Sequence, residues 1–258
     1  MDPLQRTREE FKRQAAPFSR SSATTDAADV AHLVAAIGSA ARGRILDVAC
    51  GPGIVTSALA AVAREVVALD LTPEMLAKAR ERCAAAGRTN VRFEQGCATD
   101  MALETGSFDA VVTRLSFHHF LKPETVLAEM LRVLKVGGTL AVADVVSAED
   151  AGKAALQNAI EVLRDPSHVR MLSGSELVDL IARAGVAVVR QECWDKAREF
   201  EEWVGIVANP ERVAPLRTVV RALAEAGQDA GLGLSLRDGA LHLVHRWQLV
   251  VGSKRAAP

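Results

Sequence analysis

The sequence predicts an α/β fold, a parallel sheet covered by helices on both faces, and three observations predict it. From residue 44 onward, short runs of Val, Ala, Leu and Ile alternate with stretches of helical spacing. The runs are nearly unbroken in apolar character, as in strands buried on both faces. A glycine turn, Gly51-Pro52-Gly53, joins the first run to the first helical stretch, as in a βα unit of a doubly wound sheet. With 258 residues, 49% of them hydrophobic, the chain can bury the core of one decorated domain.

Taken in order, the "FKRQAAPFSRSSATT" stretch places Phe11 and Phe18 at the flanks of a short amphipathic helix. Strands are expected near 44–49, 65–70, 91–96, 108–114 and 139–146, with helices over 54–63, 73–86 and 123–134. Thr72-Pro73-Glu74 is a helix start, with a capping hydroxyl, proline at the first position and an acid in the first turn. In the last third, "GKAALQNAIEVL" reads as a helix. "SGSELVDLIARAG" reads as another, with a Ser173 to Glu176 capping box and a closing Gly185. "VAVVRQECW" is a strand, helices follow near 198–208 and 211–226, and a glycine-rich loop leads to the strand "ALHLVHRWQLVVG". Two late strands separated by a helical insertion predict a sheet finished by a strand of different direction. The first few residues and "SKRAAP" are expected to fray.

Composition narrows the function. Thirty-one basic against 32 acidic side chains leave a net charge of −1, with no global field for nucleic acid or an anionic membrane. Cys50, Cys83, Cys97 and Cys193 form no C-x-x-C pair and read as reduced, buried thiols rather than a disulfide framework or zinc site. The N-terminal stretch lacks the apolar core of a signal peptide and no run is long enough to span a membrane, so a soluble, cytoplasmic protein is expected.

The glycine turn has competing readings. A dinucleotide turn would present N–H groups to a pyrophosphate. Pro52 removes one donor, Thr56 stands at the third glycine position, and Asp47 would face the diphosphate. S-adenosylmethionine has an ammonium and a sulfonium but no phosphate, so Asp47 suits it. Gly51 and Gly53 would let backbone approach its methionine portion. Asp70, 19 residues after Gly51, can accept both ribose hydroxyls, a feature shared with NAD sites. A turn whose glycines serve only the sheet is the plain alternative.

The run D-V-A-C-G-P-G, Asp70 followed by Leu71-Thr72-Pro73-Glu74-Met75, and "EMLRVLKVGGTLAVAD" resemble class I S-adenosylmethionine-dependent methyltransferases of the UbiE/Coq5-like type, over roughly residues 10–190. The resemblance implies a doubly wound, Rossmann-like seven-stranded sheet with a reversed last strand and the cofactor at the C-terminal edge. It divides the chain into lid helices (1–40), a cofactor-binding core (41–146), a helical substrate cap with a late strand (147–239) and a final antiparallel strand (240–252). It implies cofactor contacts from Asp47, Ala49, Gly51, Gly53, Asp70, Leu71 and Met75, and from a lid bearing Phe18, with Gln14 and Ser19 nearby. Where the family usually carries G-D-A, this sequence has "QGCATD". Cys97, Ala98 and Thr99 would meet the adenine there, with Asp100 as a substitute acid. Val136 replaces a common proline before Gly137-Gly138 and should alter only the turn.

Methyl transfer needs positioning, and a base when the acceptor is a hydroxyl. "RLSFHHFLKP" puts His118 and His119 after the fourth strand, with Asp144 at the end of the fifth. This set resembles sugar-modifying natural-product O-methyltransferases, where the pair and the aspartate serve as base and support. The alternatives are a capping or backbone-bonded His119 and a His118 packed against the sulfonium region; no third partner suggests a metal. Arg114 is a candidate for the cofactor carboxylate, or a snorkelling arginine. Phe11, together with Arg164 and His168 in the polar loop "LRDPSHVRML", is a candidate for the substrate. That loop reads equally as a surface loop held by Asp165 and Arg170. Trp194, Trp203, Trp247, His242 and His245 read as structural.

The expected function is O- or C-methylation of a small acceptor of quinone, polyketide, isoprenoid or glycoside type. Neither an N/D-P-P-Y/F tetrapeptide nor a basic stripe points to protein or DNA amino groups. The competing functions are a non-methyl-transfer reaction such as a cyclisation, an NAD-linked oxidoreductase and a silent binding subunit. Monomer and homodimer both remain open.

Overall fold

The computed structural model describes residues 2–256. The N-terminal segment forms α1 (Pro3–Phe18), α2 (Ser22–Thr25) and α3 (Ala27–Ala36). The alternating core follows as β1 (Arg44–Val48), α4 (Ile54–Leu59), β2 (Glu65–Asp70), α5 (Pro73–Ala85), β3 (Val91–Gln95), β4 (Phe108–Arg114), α6 (Pro123–Val133) and β5 (Leu134–Val146). The last third contains α7 (Ala151–Arg164), α8 (Gly174–Arg183), β6 (Val186–Glu199), α9 (Phe200–Gly205), α10 (Pro210–Glu225), β7 (Ser235–Arg237) and β8 (Ala240–Lys254).

The strands form one sheet in the order β3-β2-β1-β4-β5-β8-β6, with β7 paired to β8. β1 to β5 are parallel, and β8 runs antiparallel between β5 and β6. The seven-strand path with a reversed final strand is therefore present, and the short β7 makes an eighth strand that the glycine-rich loop had concealed.

Alternation of side chains along each strand builds a core on each face. Leu46, Val48, Val67, Val111, Leu140 and Val142 pack with Leu127 and Met130 of α6 and Ile181 of α8. Ile45, Val66, Ala110, Val112 and Ala141 pack with Leu33 of α3 and Val55 and Leu59 of α4. A third cluster joins Phe200, Trp203, Val220, Leu232 and Leu243 beyond the parallel strands. The cap thus has its own core, carried on β8.

Several boundaries differ from expectation. β5 starts at Leu134, because "LKVGG" continues the chain in extended form across a register shift opposite Phe108 and Ala110. Thr72 makes no side-chain cap; its N–H is instead held by Asp70 at 2.8 Å. The capping box of Ser173 and Glu176 forms as read. The expected frayed ends are largely ordered: α1 begins at Pro3 and β8 runs to Lys254. Only Met1, Ala257 and Pro258 lie outside the described residues. Of the four thiols expected to be buried, Cys193 is exposed, since edge strand β6 turns alternate residues to solvent, and Cys97, in the turn after β3, is half-buried.

Candidate active site

At the carboxyl edge of the parallel strands lies a cavity of about 470 Å³, within the range of small-ligand sites. It opens where the strand order reverses, with β1 and β4 adjacent and their following helices on opposite faces. Two non-glycine residues with positive φ flank it, Ala49 (φ 54°) after β1 and Leu115 (φ 56°) after β4. Such backbone costs about 1–2 kcal/mol per residue and is concentrated at working sites.

Asp47 is buried at the floor, and Thr56 Oγ1 donates to its Oδ2 at 2.6 Å. Thr56 stands where a dinucleotide turn would carry glycine, so that departure serves the carboxylate. Burial, together with the charge of Asp70, pushes Asp47 up to about 7. Asp70 accepts from the Gly51 and Thr72 N–H groups, both at 2.8 Å, and so fixes the turn while lining the cavity. Burial also raises its pKa, against those hydrogen bonds.

Arg114 lies across from these acids. One nitrogen, Nη1, donates to the Thr24 carbonyl at 2.8 Å, and the guanidinium stacks 5.1 Å from the Trp247 ring centre. Its Nη2 is buried without a partner. A buried guanidinium donor beside buried carboxylates gives the cavity matching groups for a zwitterion.

Most expected cofactor residues meet here: Asp47, Ala49, Gly51, Asp70, Leu71, Met75, Cys97, Ala98, Thr99, Arg114 and Phe18 line the cavity, as does Phe11. Four do not. Gly53 lies behind the wall, where an added Cβ would stand 2.7 Å from Ala79 of α5; its missing side chain serves helix packing and a φ of 75°. Gly51 (φ 53°) has nothing within 4 Å of an added Cβ, so it is the glycine that leaves room for a ligand. Asp100 is exposed and outside the lining. Gln14 and Ser19 face elsewhere: Gln14 Nε2 donates to Asp165 at 2.9 Å, and the Ser19 carbonyl accepts from Arg82 at 2.9 Å.

A second, smaller chamber of about 60 Å³ adjoins the first, with Phe18, Leu115 and His119 on the walls of both. His118 lines only this inner chamber. Its Nδ1 is 2.6 Å from Asp144 Oδ1, and its backbone N–H reaches Oδ2 at 3.2 Å. Burial disfavours the imidazolium, but the charge and hydrogen bond of Asp144 outweigh it, so His118 sits above the ordinary histidine range. His119 goes the other way. Its Nδ1–H donates to the Ser167 carbonyl at 3.0 Å, and burial beside His118 lowers its pKa to about 4.

The loop "LRDPSHVRML" is neither open to the main cavity nor a surface loop. Arg164 pairs with Glu161 at 2.9 Å, and His168 Nε2 donates to Asn158 Oδ1 at 2.9 Å, both on the inner chamber's walls or just behind them. Asp165 is buried and accepts from Gln14 and Ser167, while Arg170 is exposed and pairs with Glu176.

Sequence reasoning missed Glu161 and the part played by His245, whose Nε2 donates to Glu161 Oε1 at 3.1 Å. A signal existed. Gln157, Ile160, Glu161 and Arg164 fall on one face of α7, so polar groups stand where a packing stripe should be apolar.

The fold is that of the class I methyltransferases. The model for the methyltransferase domain family matches residues 46–142. The uncharacterized methyltransferase YcgJ of Bacillus subtilis (strain 168) is 32% identical over 161 residues, 62% of this chain and 64% of its own length. The crystal structure of YcgJ superposes with a TM-score of 0.81 over 89% of this chain and 99% of that one, at 26% identity. The uncharacterized protein YafE of Escherichia coli (strain K12) is 34% identical over 57% of this chain and 70% of its own length. A demethylmenaquinone methyltransferase of Clavibacter sepedonicus is 41% identical over 101 residues, 39% of this chain and 40% of that enzyme. The match thus spans just under two thirds of YcgJ and less than half of the menaquinone enzyme. The chain belongs to the methyltransferase family. Among the described residues no helix is long and apolar enough to cross a membrane.

Proposed function

We propose that the protein transfers a methyl group from S-adenosylmethionine to a hydroxyl of a small molecule, with His118 as the base. The cavity's groups fit the cofactor. Asp47 would hold the ammonium and the unpartnered Arg114 Nη2 the carboxylate; Gly51 would leave space for the methionine chain. Asp70 would accept from the ribose, and Leu71, Ala98 and Thr99 would bound the adenine. When bound, S-adenosylmethionine supplies an electrophilic methyl on a sulfonium, which leaves as a neutral thioether.

The observation that carries the choice of a hydroxyl acceptor is the 2.6 Å contact of His118 with Asp144. The carboxylate fixes the proton on Nδ1 and leaves Nε2 to take one from an acceptor O–H, and it stabilises the imidazolium that results. His119, held neutral with its proton on Nδ1, presents Nε2 as a lone pair between the two cavities. It orients an acceptor and is a poor base at neutral pH. Phe11 of lid helix α1 lies against His119, ring centres 4.7 Å apart, and would help shield the reacting groups from water.

Calorimetric titration with S-adenosylhomocysteine, S-adenosylmethionine and NAD tests the cofactor. Micromolar binding of the sulfur ligands without NAD is expected; preference for NAD overturns the reading. Turnover with labelled methyl donor should rise with pH through an ionisation above about 6.5, and a flat profile removes His118 as base.

A further inference from the structure

The loop after α7 holds both histidines of the pair. The Val169 and Arg170 N–H groups donate to the His118 carbonyl at 2.9 and 3.1 Å. The Ser167 carbonyl accepts from His119 Nδ1 at 3.0 Å, and Ser167 Oγ stands 3.2 Å from the same nitrogen. Ser167 is itself fixed by Asp165, whose Oδ1 accepts from its N–H at 2.9 Å and from its hydroxyl at 2.6 Å. With its hydrogen spent on Asp165, the hydroxyl meets His119 as an acceptor only. Two acceptor oxygens therefore face His119 Nδ1 and fix the ring proton there.

The other oxygen of Asp165 leads to the lid. Oδ2 accepts from Gln14 Nε2 at 2.9 Å, so three donors converge on the group and hold it as a carboxylate. Gln14 and Asp165 are each 1% exposed. A buried amide costs free energy unless it is bonded, and α1 carries this one where a packing helix would present an apolar side chain. The other buried residues of α1 are Glu10 and Ala15. The neighbouring tie of α1 goes elsewhere: Arg13 Nε donates to the Val207 carbonyl, beyond α9, at 2.9 Å. The lid thus reaches His119 by two routes, through the Phe11 ring and through Gln14, Asp165 and Ser167.

We propose that Gln14 is a positioning residue, which through Asp165 and Ser167 keeps the His119 proton on Nδ1 and its Nε2 lone pair free between the two cavities. The assignment rests on the reading of His119 as the group that orients the acceptor. Without Gln14, Asp165 Oδ2 would be a buried carboxylate oxygen with no donor, a cost relieved when the carboxylate turns toward another one. That turn releases Ser167, and with it the two oxygens that specify the tautomer of His119. His118 keeps its own tautomer, because Asp144 holds its Nδ1 independently.

The test uses the full chain labelled with ¹⁵N-histidine, without ligand, the two rings being assigned by His118→Gln and His119→Gln. In the unsubstituted protein His119 should show the pair of ring shifts of a single tautomer with its proton on Nδ1. Gln14→Met, which keeps the volume and removes the donor, should draw the two His119 nitrogens toward a common average shift and leave those of His118 in place. Gln14→Asn, one methylene short of Asp165, should do the same and carries the test if the methionine variant does not fold. Arg13→Met, which cuts the neighbouring tie of α1, should leave His119 unchanged. S-adenosylhomocysteine affinity should stay within about twofold in all three variants, because neither Gln14 nor Arg13 lines the larger cavity. The proposal is overturned if neither Gln14 variant changes His119, if His118 and His119 change together, or if Arg13→Met changes His119 as much. Turnover unaffected by His119→Gln would instead overturn the acceptor-orienting role itself, a failure that the spectra do not share.

Discussion

The two adjoining cavities are built on opposite electrostatic plans. In the larger one the polar groups are few and left with open valences: Asp47 is buried with one hydroxyl partner, and Arg114 keeps an unpartnered nitrogen. In the inner chamber almost every titratable group is matched within the protein, Asp144 to His118, Glu161 to His245 and Arg164, and Asp165 to Gln14 and Ser167. A site that binds a charged ligand must hold uncompensated charge before the ligand arrives. A site that moves one proton needs the opposite, a fixed network that holds the reacting nitrogen free. The difference separates binding from chemistry, and substitutions can test that separation.

The largest effect is expected in the inner chamber. Asp144→Asn removes the charge that supports an imidazolium at His118 and should lower turnover about 10²–10⁴-fold. S-adenosylhomocysteine affinity, measured by calorimetry, should stay within about twofold because Asp144 does not line the larger cavity. An equal loss in binding and rate would merge the two cavities into one functional unit.

Next comes Asp47→Asn, which should weaken the same ligand about 100-fold, since unpairing one member of a buried charge pair costs several kcal/mol. Without ligand the variant should be the more stable protein. The folded pKa of Asp47, about 7, lies above its ordinary 3.8, so the folded state binds the extra proton between those values. Its stability therefore falls as pH rises from about 4 to 7, by on the order of 4 kcal/mol at most, and the penalty is fully present above pH 7. Thermal unfolding at pH 8 should show a higher Tm for Asp47→Asn. A lower Tm would mean that the carboxylate is needed by the fold rather than by a ligand.

The same group sets the pH dependence of cofactor binding. A ligand ammonium requires ionised Asp47, so affinity should be level above pH 7 and fall by up to about tenfold per pH unit below it. Calorimetry at pH 6 and pH 8 measures this directly, and equal affinities would place the ammonium elsewhere.

The parallel half of the fold was legible in the sequence because its signals are local. Uninterrupted strands such as "EVVALD", the Pro73 start and the glycine turn each specify their own few residues, and β2, α5 and β4 appear within a residue of expectation. The cavity followed, since strand ends and turns are local as well. The inner chamber was not legible in the same way. His118 and Asp144 are joined across 26 residues, His245 and Glu161 across 84, and Gln14 and Asp165 across 151. Nothing short-range says that a histidine in β8 will face a glutamate in α7. Thus Arg164 and His168 were expected near an open substrate loop, and burial against Glu161 and Asn158 is what moved them inward.

The smallest effects separate two glycines that the sequence treats alike. Both have positive φ, so alanine at either carries about 1–2 kcal/mol of backbone strain. At Gly53 the new methyl would also stand 2.7 Å from the backbone of Ala79, and α5 must shift, adding roughly 1–3 kcal/mol. At Gly51 nothing lies within 4 Å, but the methyl enters the larger cavity. Gly53→Ala should therefore lower stability in urea the more of the two and Gly51→Ala should weaken S-adenosylhomocysteine the more. If Gly53→Ala instead impairs binding at unchanged stability, α5 yields easily and the glycine belongs to the ligand's wall after all.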